Sequence, residues 1–264
     1  MKKIRFITRA DDAGSSHSAN AAIRAALRAG FIKNVSVMAP GKFVEEASDL
    51  LARRRGVCFG MHATLNAEWD RVKWGPVSDL GQSSGLVDKD GVFLPDPREF
   101  ERTRPRVETV MKEYDAQLDK LSRAGFDIRY VDSHMLPEQY IPGLDEAMRD
   151  WAVAKGLYDH MYYYKLPPGF EGLRTHPEKL LAVLRAIPEG EYFYLAHPAR
   201  YGPEMLLTGN SEYTGDQVAR DRSLEARILG NPFITPFMTA LGISPIRYDQ
   251  AEKGRRLSLD ELSF

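Results

Sequence analysis

The chain has 264 residues, with 36 Lys and Arg residues against 37 Asp and Glu residues, and a single cysteine. This length suits one large domain or two small ones and can bury a core without disulfides. The balanced charge, without a basic or acidic run, argues against a nucleic-acid partner. Because Cys58 stands alone, no internal disulfide can form, which fits a reducing compartment.

The N-terminal segment is basic but lacks the long apolar region of a signal peptide, since Arg5, Arg9 and the pair Asp11-Asp12 interrupt it. No other stretch is apolar enough over the length that a bilayer requires. We therefore expect a cytoplasmic protein with no membrane partner.

The first element is an apolar strand that begins at Ile4 and is expected to stop at Asp11-Asp12, just before Gly14. Gly14 permits a sharp turn after the pair. In a functional interpretation, one carboxylate binds a metal and the other is a general base on a water molecule. In a structural interpretation, the pair caps the helix that follows.

Strand and helix patterns then alternate about seven times along the chain. Further strands are predicted at 34–40, 57–65, 128–134, 158–166, 191–198 and 243–248. Helices are predicted at 18–30, 43–51, 107–125, 144–155, 176–184, 214–229 and 236–241. Residues 66–103 interrupt the rhythm as an insertion without a helix, with a small hairpin at 86–93.

This alternation indicates an α/β fold with a parallel sheet and right-handed crossovers. A closed barrel and an open doubly wound sheet both fit the pattern. The first strand is not followed by a dinucleotide-binding glycine fingerprint, which argues against the nucleotide-binding version. In an α/β barrel the chemistry lies at the carboxyl ends of the strands.

Five residues are placed at such carboxyl ends: Asp11, Asp12, His62, His134 and His197. One Asp and two His form a common facial set for a divalent ion, with positions left for water and substrate. This interpretation rests on their positions at strand ends and not on a short spacing motif. Taken singly, His62 could be a core histidine and His134 could cap a loop.

The remaining histidines receive different interpretations. His197, followed by a proline, is either a general acid for a leaving group or a polar residue at a strand edge. His17, His160 and His176 are expected to be surface or cap residues, and His176 stands in a helix-start pattern.

Three further features keep two interpretations. Asp132 either orients a ligand or caps a strand end. Trp69 and Trp74 either form a platform for a sugar ring or, as favoured here, pack the long insertion. The run of tyrosines at 162–164 is expected to be strand packing.

Taken in order, segments along nearly the whole chain resemble the YdjC-like carbohydrate deacetylases. The three signature segments are Arg9-Ala10-Asp11-Asp12-Ala13-Gly14, Phe59-Gly60-Met61-His62-Ala63-Thr64-Leu65 and Val131-Asp132-Ser133-His134. The resemblance extends to 84–93, Ala116-Gln117-Leu118, Leu195-Ala196-His197-Pro198 and Arg222-Ser223-Leu224-Glu225. It implies a distorted seven-stranded (β/α) barrel as one domain over residues 1–264.

The resemblance also implies an activity: removal of an acetyl group from N-acetylated sugars. Carried over residue by residue, Asp11 is the base, Asp12, His62 and His134 hold one divalent ion, and His197 matches the acid. Mg²⁺ or Zn²⁺ is expected, although such a donor set also suits Mn, Co and Ni. A carbohydrate is the expected substrate, and a homodimer is expected from base rates alone.

Two segments depart from the family pattern. After His134 the family usually continues with two more histidines, and here Leu136 and Glu138 stand in their places. The family's His-Pro-Gly is His197-Pro198-Ala199. These departures leave the metal set intact and concern the identity of the substrate.

Two alternative functions stay open. One is another metal-dependent barrel enzyme, such as a sugar isomerase, which usually needs more carboxylates, or an amidohydrolase, which usually begins with His-x-His. The other is a barrel that binds a metal and a sugar without turnover. The presence of Asp11 argues against the second, because a pure binding site has no use for a base.

Overall fold

The computed structural model describes residues 3–168 and 177–261, and its centre is one sheet of seven strands. The strands are β1 (Ile4–Ala13), β2 (Asn34–Val37), β3 (Cys58–Ala63), β4 (Ile128–Ser133), β5 (Tyr158–Asp159), β6 (Gly190–Ala196) and β7 (Ile243–Ile246). Their order is β5-β4-β3-β2-β1-β6, with β7 beside β1, and every ladder between them is parallel. The predicted parallel α/β sheet is confirmed.

Strand β1 is the most extensively paired strand of this sheet, because it pairs with three other strands. Strand β6 follows it from Ile4 to Ala10. Strand β7 pairs with Ile4–Ile7, and β2 takes over from Arg9 to Ala13. Since one strand has only two edges, β7 and β2 share the edge opposite β6.

The sheet is curled but open. Within residues 3–168 and 177–261, no ladder joins β5 to β6. Where a distorted seven-stranded (β/α) barrel was expected, the described residues form a half-barrel, whose strands still present their carboxyl ends along one rim.

Helices fill the crossovers between strands. They are α1 (His17–Ala29), α2 (Val44–Ala47), α3 (Phe100–Thr103), α4 (Val107–Arg123), α5 (Leu144–Lys155), α6 (Pro177–Ala186), α7 (Gly215–Leu229) and α8 (Ile234–Ala240). Helix α1 begins where the Ser16 hydroxyl accepts from the Ala19 N–H at 3.0 Å and ends at Gly30, whose φ of 89° is left-handed. A π-helical turn, Ser48–Ala52, prolongs α2. No helix of the described part is long and apolar enough to cross a membrane.

Several boundaries differ from the sequence predictions. Strand β1 does not stop at the aspartate pair but continues to Ala13. The predicted strand at 158–166 is only Tyr158–Asp159, and Tyr162 belongs to a 3₁₀ turn. The tyrosine run does pack, but outside a strand: the rings of Tyr163 and Tyr164 are buried in the hydrophobic interior. His176 lies outside the described residues.

The insertion at 66–103 is part of the core rather than a free loop. Trp74, Leu86, Phe93 and Phe100 are all buried in the main hydrophobic cluster. The predicted hairpin is reduced to one antiparallel bridge between Val87 and Phe93. The insertion also contains two 3₁₀ turns and the one-turn helix α3, so the prediction that it lacks helix is wrong.

Candidate functional site

The end of β1 directs two adjacent carboxylates to different places. Asp12 has a left-handed φ of 66°, and the β1–β2 register shifts between Ala10 and Ala13. A bulge of this kind re-aims the side chains that follow it. Gly14 makes the turn possible: its φ is 92°, and a Cβ there would lie 3.1 Å from the Met38 carbonyl.

Three donor atoms converge at the rim. Asp12 Oδ1 lies 3.5 Å from His62 Nε2 and 3.8 Å from His134 Nδ1, and the two imidazole nitrogens are 3.2 Å apart. All three side chains are buried. Spacings of this size are those of ligands that share one ion at about 2.0–2.2 Å from each.

Each histidine is oriented by its own carboxylate. His62 Nδ1–H donates to Asp132 Oδ2 at 3.0 Å, and His134 Nε2–H donates to Glu68 Oε2 at 2.9 Å. This assignment of protons leaves His62 Nε2 and His134 Nδ1 unprotonated, and these two nitrogens face Asp12 with lone pairs that can bind a metal ion. Carboxylate–histidine pairs of this kind are the usual support of a metal-binding imidazole.

The carboxylate of Asp12 fits the same role. Its Oδ2 accepts from Arg222 Nη1 at 2.5 Å, whereas its buried Oδ1 has no hydrogen-bond partner. Burial acts to raise the pKa of Asp12, but the charge of the Arg222 guanidinium and the nearby imidazole of His62 outweigh it and hold the pKa well below its usual range. Asp12 is therefore an anion with one unsatisfied oxygen, which is what a cation ligand requires.

Asp11 lies in an ionic network with Arg9 and Asp132, and Asp132 connects this network to His62. Arg9 donates to both of its carboxylate oxygens, at 2.7 and 2.8 Å, and also reaches Asp132 Oδ2 at 2.9 Å. Burial raises the pKa of Asp11, and the nearby charge of Asp132 adds to that, while Arg9 acts in the opposite direction. Burial acts to lower the pKa of His62, but the charges of Asp132 and Asp11 outweigh it and raise the pKa.

His197 comes directly after β6 and faces the same space. A cavity of about 320 Å³ is lined by Asp11, His62, His134 and His197 among others. The His197 backbone N–H donates to Glu225 Oε2 at 2.6 Å, which joins this strand end to α7. Four of the five predicted site residues thus line one cavity, and Asp12 contacts two of them from its border.

The other sequence predictions have mixed outcomes. His17 is exposed, as expected. His160 is buried and lines the 320 Å³ cavity, so its prediction as a surface or cap residue is wrong. Burial lowers the pKa of His160 to about 4. Trp74 is buried in the core, as the packing interpretation requires, whereas Trp69 is only partly buried.

Three site residues were not singled out from the sequence. Arg9 and Arg222 each stand in a segment that carries the family resemblance, but neither received a role from it. Arg9 also stands two positions before Asp11, and a strand places residues i and i+2 on one face. Glu68 lies in the irregular insertion, and Arg222 lies 210 positions from its partner Asp12. Neither local pattern nor short spacing could have brought these two to the site.

Comparison with known families shows to which family this chain belongs. Residues 5–160 match the family model of YdjC-like proteins, which is more than half of the chain. The chain belongs to the YdjC-like family. The matched range of this YdjC-like protein contains β1 to β5, with Asp11, Asp12, His62 and His134, and ends before His197.

Relatives of this YdjC-like protein carry the name carbohydrate deacetylase. One, from Thermoanaerobacter pseudethanolicus, is 23% identical over 235 residues, covering 81% of this chain and 88% of the relative. Another, from Danio rerio, is 29% identical over 173 residues, covering 65% of this chain. The chain spans only 52% of the length of that second relative.

Two solved structures share the fold. An Enterococcus faecalis protein, named as a candidate cellobiose-phosphate cleavage protein, superposes with a TM-score of 0.70 over 94% of this chain and 98% of its own, at 20% identity. The catalytic domain of a peptidoglycan N-acetylglucosamine deacetylase from Eubacterium rectale gives 0.51 over 98% of this chain and 95% of its own, at 10% identity. At these identities the likeness concerns the fold alone.

Proposed function

We propose that this protein removes the acetyl group from an N-acetylated sugar by metal-dependent hydrolysis. The observation that carries the proposal is the convergence of Asp12 Oδ1, His62 Nε2 and His134 Nδ1 beside a cavity that also holds Asp11 and His197. The names of the relatives support the substrate class. In the reaction, water adds a hydroxyl to the acyl carbon and a proton to the amine, and the C–N bond breaks.

Asp12, His62 and His134 would hold the divalent ion. When bound, the ion polarises the acetyl carbonyl and lowers the pKa of a water. Asp132 and Glu68 keep the two imidazoles in the tautomer and orientation that ligation needs.

Asp11 is the proposed base. It lines the same cavity as the two histidine ligands and is not part of the Asp12–His62–His134 cluster. Asp11, His62 and Asp132 form a second group of possible ligands, but its atoms are already paired with Arg9 and with one another, which favours the role of base for Asp11. Burial raises its pKa, which brings its basicity closer to the working pH, while Arg9 keeps the carboxylate oriented. His197 lines the same cavity and is the proposed acid for the leaving amine.

The proposal is tested by acetate release from a panel of N-acetylated mono- and oligosaccharides with added Zn²⁺ or Mg²⁺. The chain offers a matched pair of variants at adjacent carboxylates. Asp11→Asn should lose about 10²-fold or more in kcat and retain its metal content. Asp12→Asn should lose both activity and metal, since a ligand is removed.

Circular dichroism melting of both variants checks that they are folded. Acetate release by the native protein that persists in folded Asp11→Asn would contradict the role of the base. Absence of release from every substrate, by native protein shown to contain a metal, would overturn the deacetylase function.

A further inference from the structure

A second cavity lies on the other side of Asp12. It encloses about 230 Å³ and is bordered by Asp12, Glu68 and Arg222, the three residues that support or form the metal-facing cluster. The 320 Å³ cavity, in contrast, contains Asp11 and His197. Because Asp12 lines one cavity and His62 and His134 line the other, both cavities border the donor cluster.

The lining of this second cavity is mainly apolar. Met38, Phe43, Trp69, Val72, Met205 and Leu207 all contribute to it. Trp69 contacts the Arg222 guanidinium, at 5.9 Å from ring centroid to Cζ, so the aromatic wall reaches the ion pair with Asp12.

Several polar groups of this cavity are already engaged, and Ser15, Lys42 and Arg71 also line it. Glu204 accepts from the backbone N–H groups of His17 and Ser18, at 3.1 and 2.9 Å. Lys73 Nζ donates to the Ala67 carbonyl at 2.8 Å. Asp12 Oδ2 accepts from Arg222, and Glu68 Oε2 accepts from His134 Nε2–H. Most of the cavity surface is nevertheless apolar, so a hydrocarbon chain can fill it without leaving a polar group of its own unpaired.

The two cavities correspond to the two halves of an amide. The amine half must lie where a proton can reach its nitrogen, which is the cavity with His197. The acyl half extends from the carbonyl carbon in another direction, toward Asp12. An acetyl methyl occupies roughly the space of one water molecule, about 30 Å³, so a cavity of about 230 Å³ is much larger than acetyl requires.

We propose, resting on the function proposed above, that the apolar cavity of Phe43, Trp69 and Leu207 receives the acyl group, and that the enzyme prefers N-acyl sugars with chains longer than acetyl. Each methylene buried in an apolar site contributes enough transfer free energy for about a fourfold gain. From acetyl to butyryl, kcat/KM should therefore rise on the order of tenfold.

The test uses glucosamine or its dimer acylated with acetyl, propionyl, butyryl and hexanoyl groups, and measures kcat/KM by amine release. Leu207→Trp is the diagnostic variant, because Leu207 lines the cavity and is 37% exposed, so a larger side chain can be accommodated at the surface. Its neighbour Leu206, 42% exposed and not among the lining residues, provides the control Leu206→Trp.

The expected result is a rise with chain length in the native protein and in Leu206→Trp, and a hexanoyl-to-acetyl ratio at least tenfold lower in Leu207→Trp. Rates that stay level or fall beyond acetyl would overturn the acyl preference and leave the deacetylase function standing. A rise that Leu207→Trp does not alter would overturn the assignment of the cavity. If no N-acyl sugar is hydrolysed, acetyl included, both the acyl preference and the proposed function fail.

Discussion

The candidate site has two halves that are held in different ways. The strand-borne half consists of Arg9 and Asp11 on β1, His62 on β3 and Asp132 on β4. In it, His62 and Asp132 are direct partners in the parallel register of β3 and β4, so their contact follows from the ladder itself. Buried charges here are satisfied by other buried charges.

The loop-borne half consists of Glu68, His134, His197 and Arg222, which lie just beyond strands or on α7. Glu68 reaches His134 because the backbone of the two residues before it is anchored. The Trp74 indole N–H donates to the Asn66 carbonyl at 2.7 Å, and the Ala67 N–H donates to the Leu94 carbonyl at 3.0 Å. In this half the geometry depends on how the insertion packs.

The difference shows which tasks each construction suits. A β-ladder holds oppositely charged side chains in fixed positions away from water. A general base and its counter-ion need such fixed positions. Loops packed on the rim can shape the two cavities while still leaving openings for substrate. Three substitutions sharpen this contrast, in order of decreasing effect.

Asp132→Asn should have the largest effect because it disrupts the strand-borne half. It leaves the Arg9 guanidinium with Asp11 alone and weakens the acceptor for His62. Removing one partner of a buried pair costs about 3–5 kcal/mol of unfolding free energy, and losing the support of a ligand weakens metal affinity about 10- to 100-fold. Urea denaturation and Zn²⁺ titration calorimetry measure the two effects.

The inference of a ladder-held network would be wrong if Asp132→Asn unfolded at the native urea midpoint. Thr8→Val offers a control on β1, since the Thr8 hydroxyl bonds only backbone groups of residues 31 and 33 and carries no charge. It should cost less than Asp132→Asn and leave Zn²⁺ affinity unchanged.

Glu138→Gln probes a buried carboxylate of the loop region. Within the described residues, 3–168 and 177–261, this carboxylate forms no salt bridge. It accepts a hydrogen bond from the neutral hydroxyl of Ser133, and burial raises the pKa of Glu138 to about 7. The folded chain therefore binds this proton more tightly than the unfolded chain, so the free energy of unfolding falls as pH rises from about 4.5 to 7. Asp132, equally buried but beside Arg9, has its pKa lowered instead.

The variant should match the native protein below pH 4.5 and exceed its stability at pH 8, on the order of 3 kcal/mol. Urea unfolding at several pH values measures the difference. Parallel pH profiles for the two proteins would contradict the burial argument.

Glu68→Gln should have the smallest effect. The amide oxygen can still accept from His134 Nε2–H, but the negative charge that strengthens the imidazole as a ligand is lost. Zn²⁺ affinity should fall about tenfold, with a change in unfolding free energy below about 1 kcal/mol. Glu212→Gln, an exposed carboxylate of the same rim, is the matched control. Equal Zn²⁺ affinities in the two variants would remove Glu68 from the site.

The structure also clarifies the departures from the family pattern. Leu136 lines the 320 Å³ cavity, whereas Glu138 is buried against Ser133 and is not among the residues lining that cavity. Leu136 therefore replaces a polar side chain by an apolar one in the space assigned to the sugar, whereas Glu138 lies outside that lining. No donor of the metal-facing cluster is altered.

The sequence by itself determined the parallel α/β alternation and the convergence of Asp11, Asp12, His62, His134 and His197. The physical reason is local: apolar periodicity sets strands and helices, and parallel strands bring their carboxyl ends to one rim. A polar residue at the end of an apolar strand is therefore expected to lie near the polar residues at the ends of the neighbouring strands.

Only the tertiary structure decided the rest. The contacts of Glu68 with His134 and of Arg222 with Asp12 join residues 66 and 210 positions apart, through an aperiodic insertion and a distant helix. The left-handed backbone at Asp12, the burial of His160 and the open edge between β5 and β6 likewise depend on what packs beside them. Local patterns report which face of an element is apolar, but they carry no information about which distant surface will cover it.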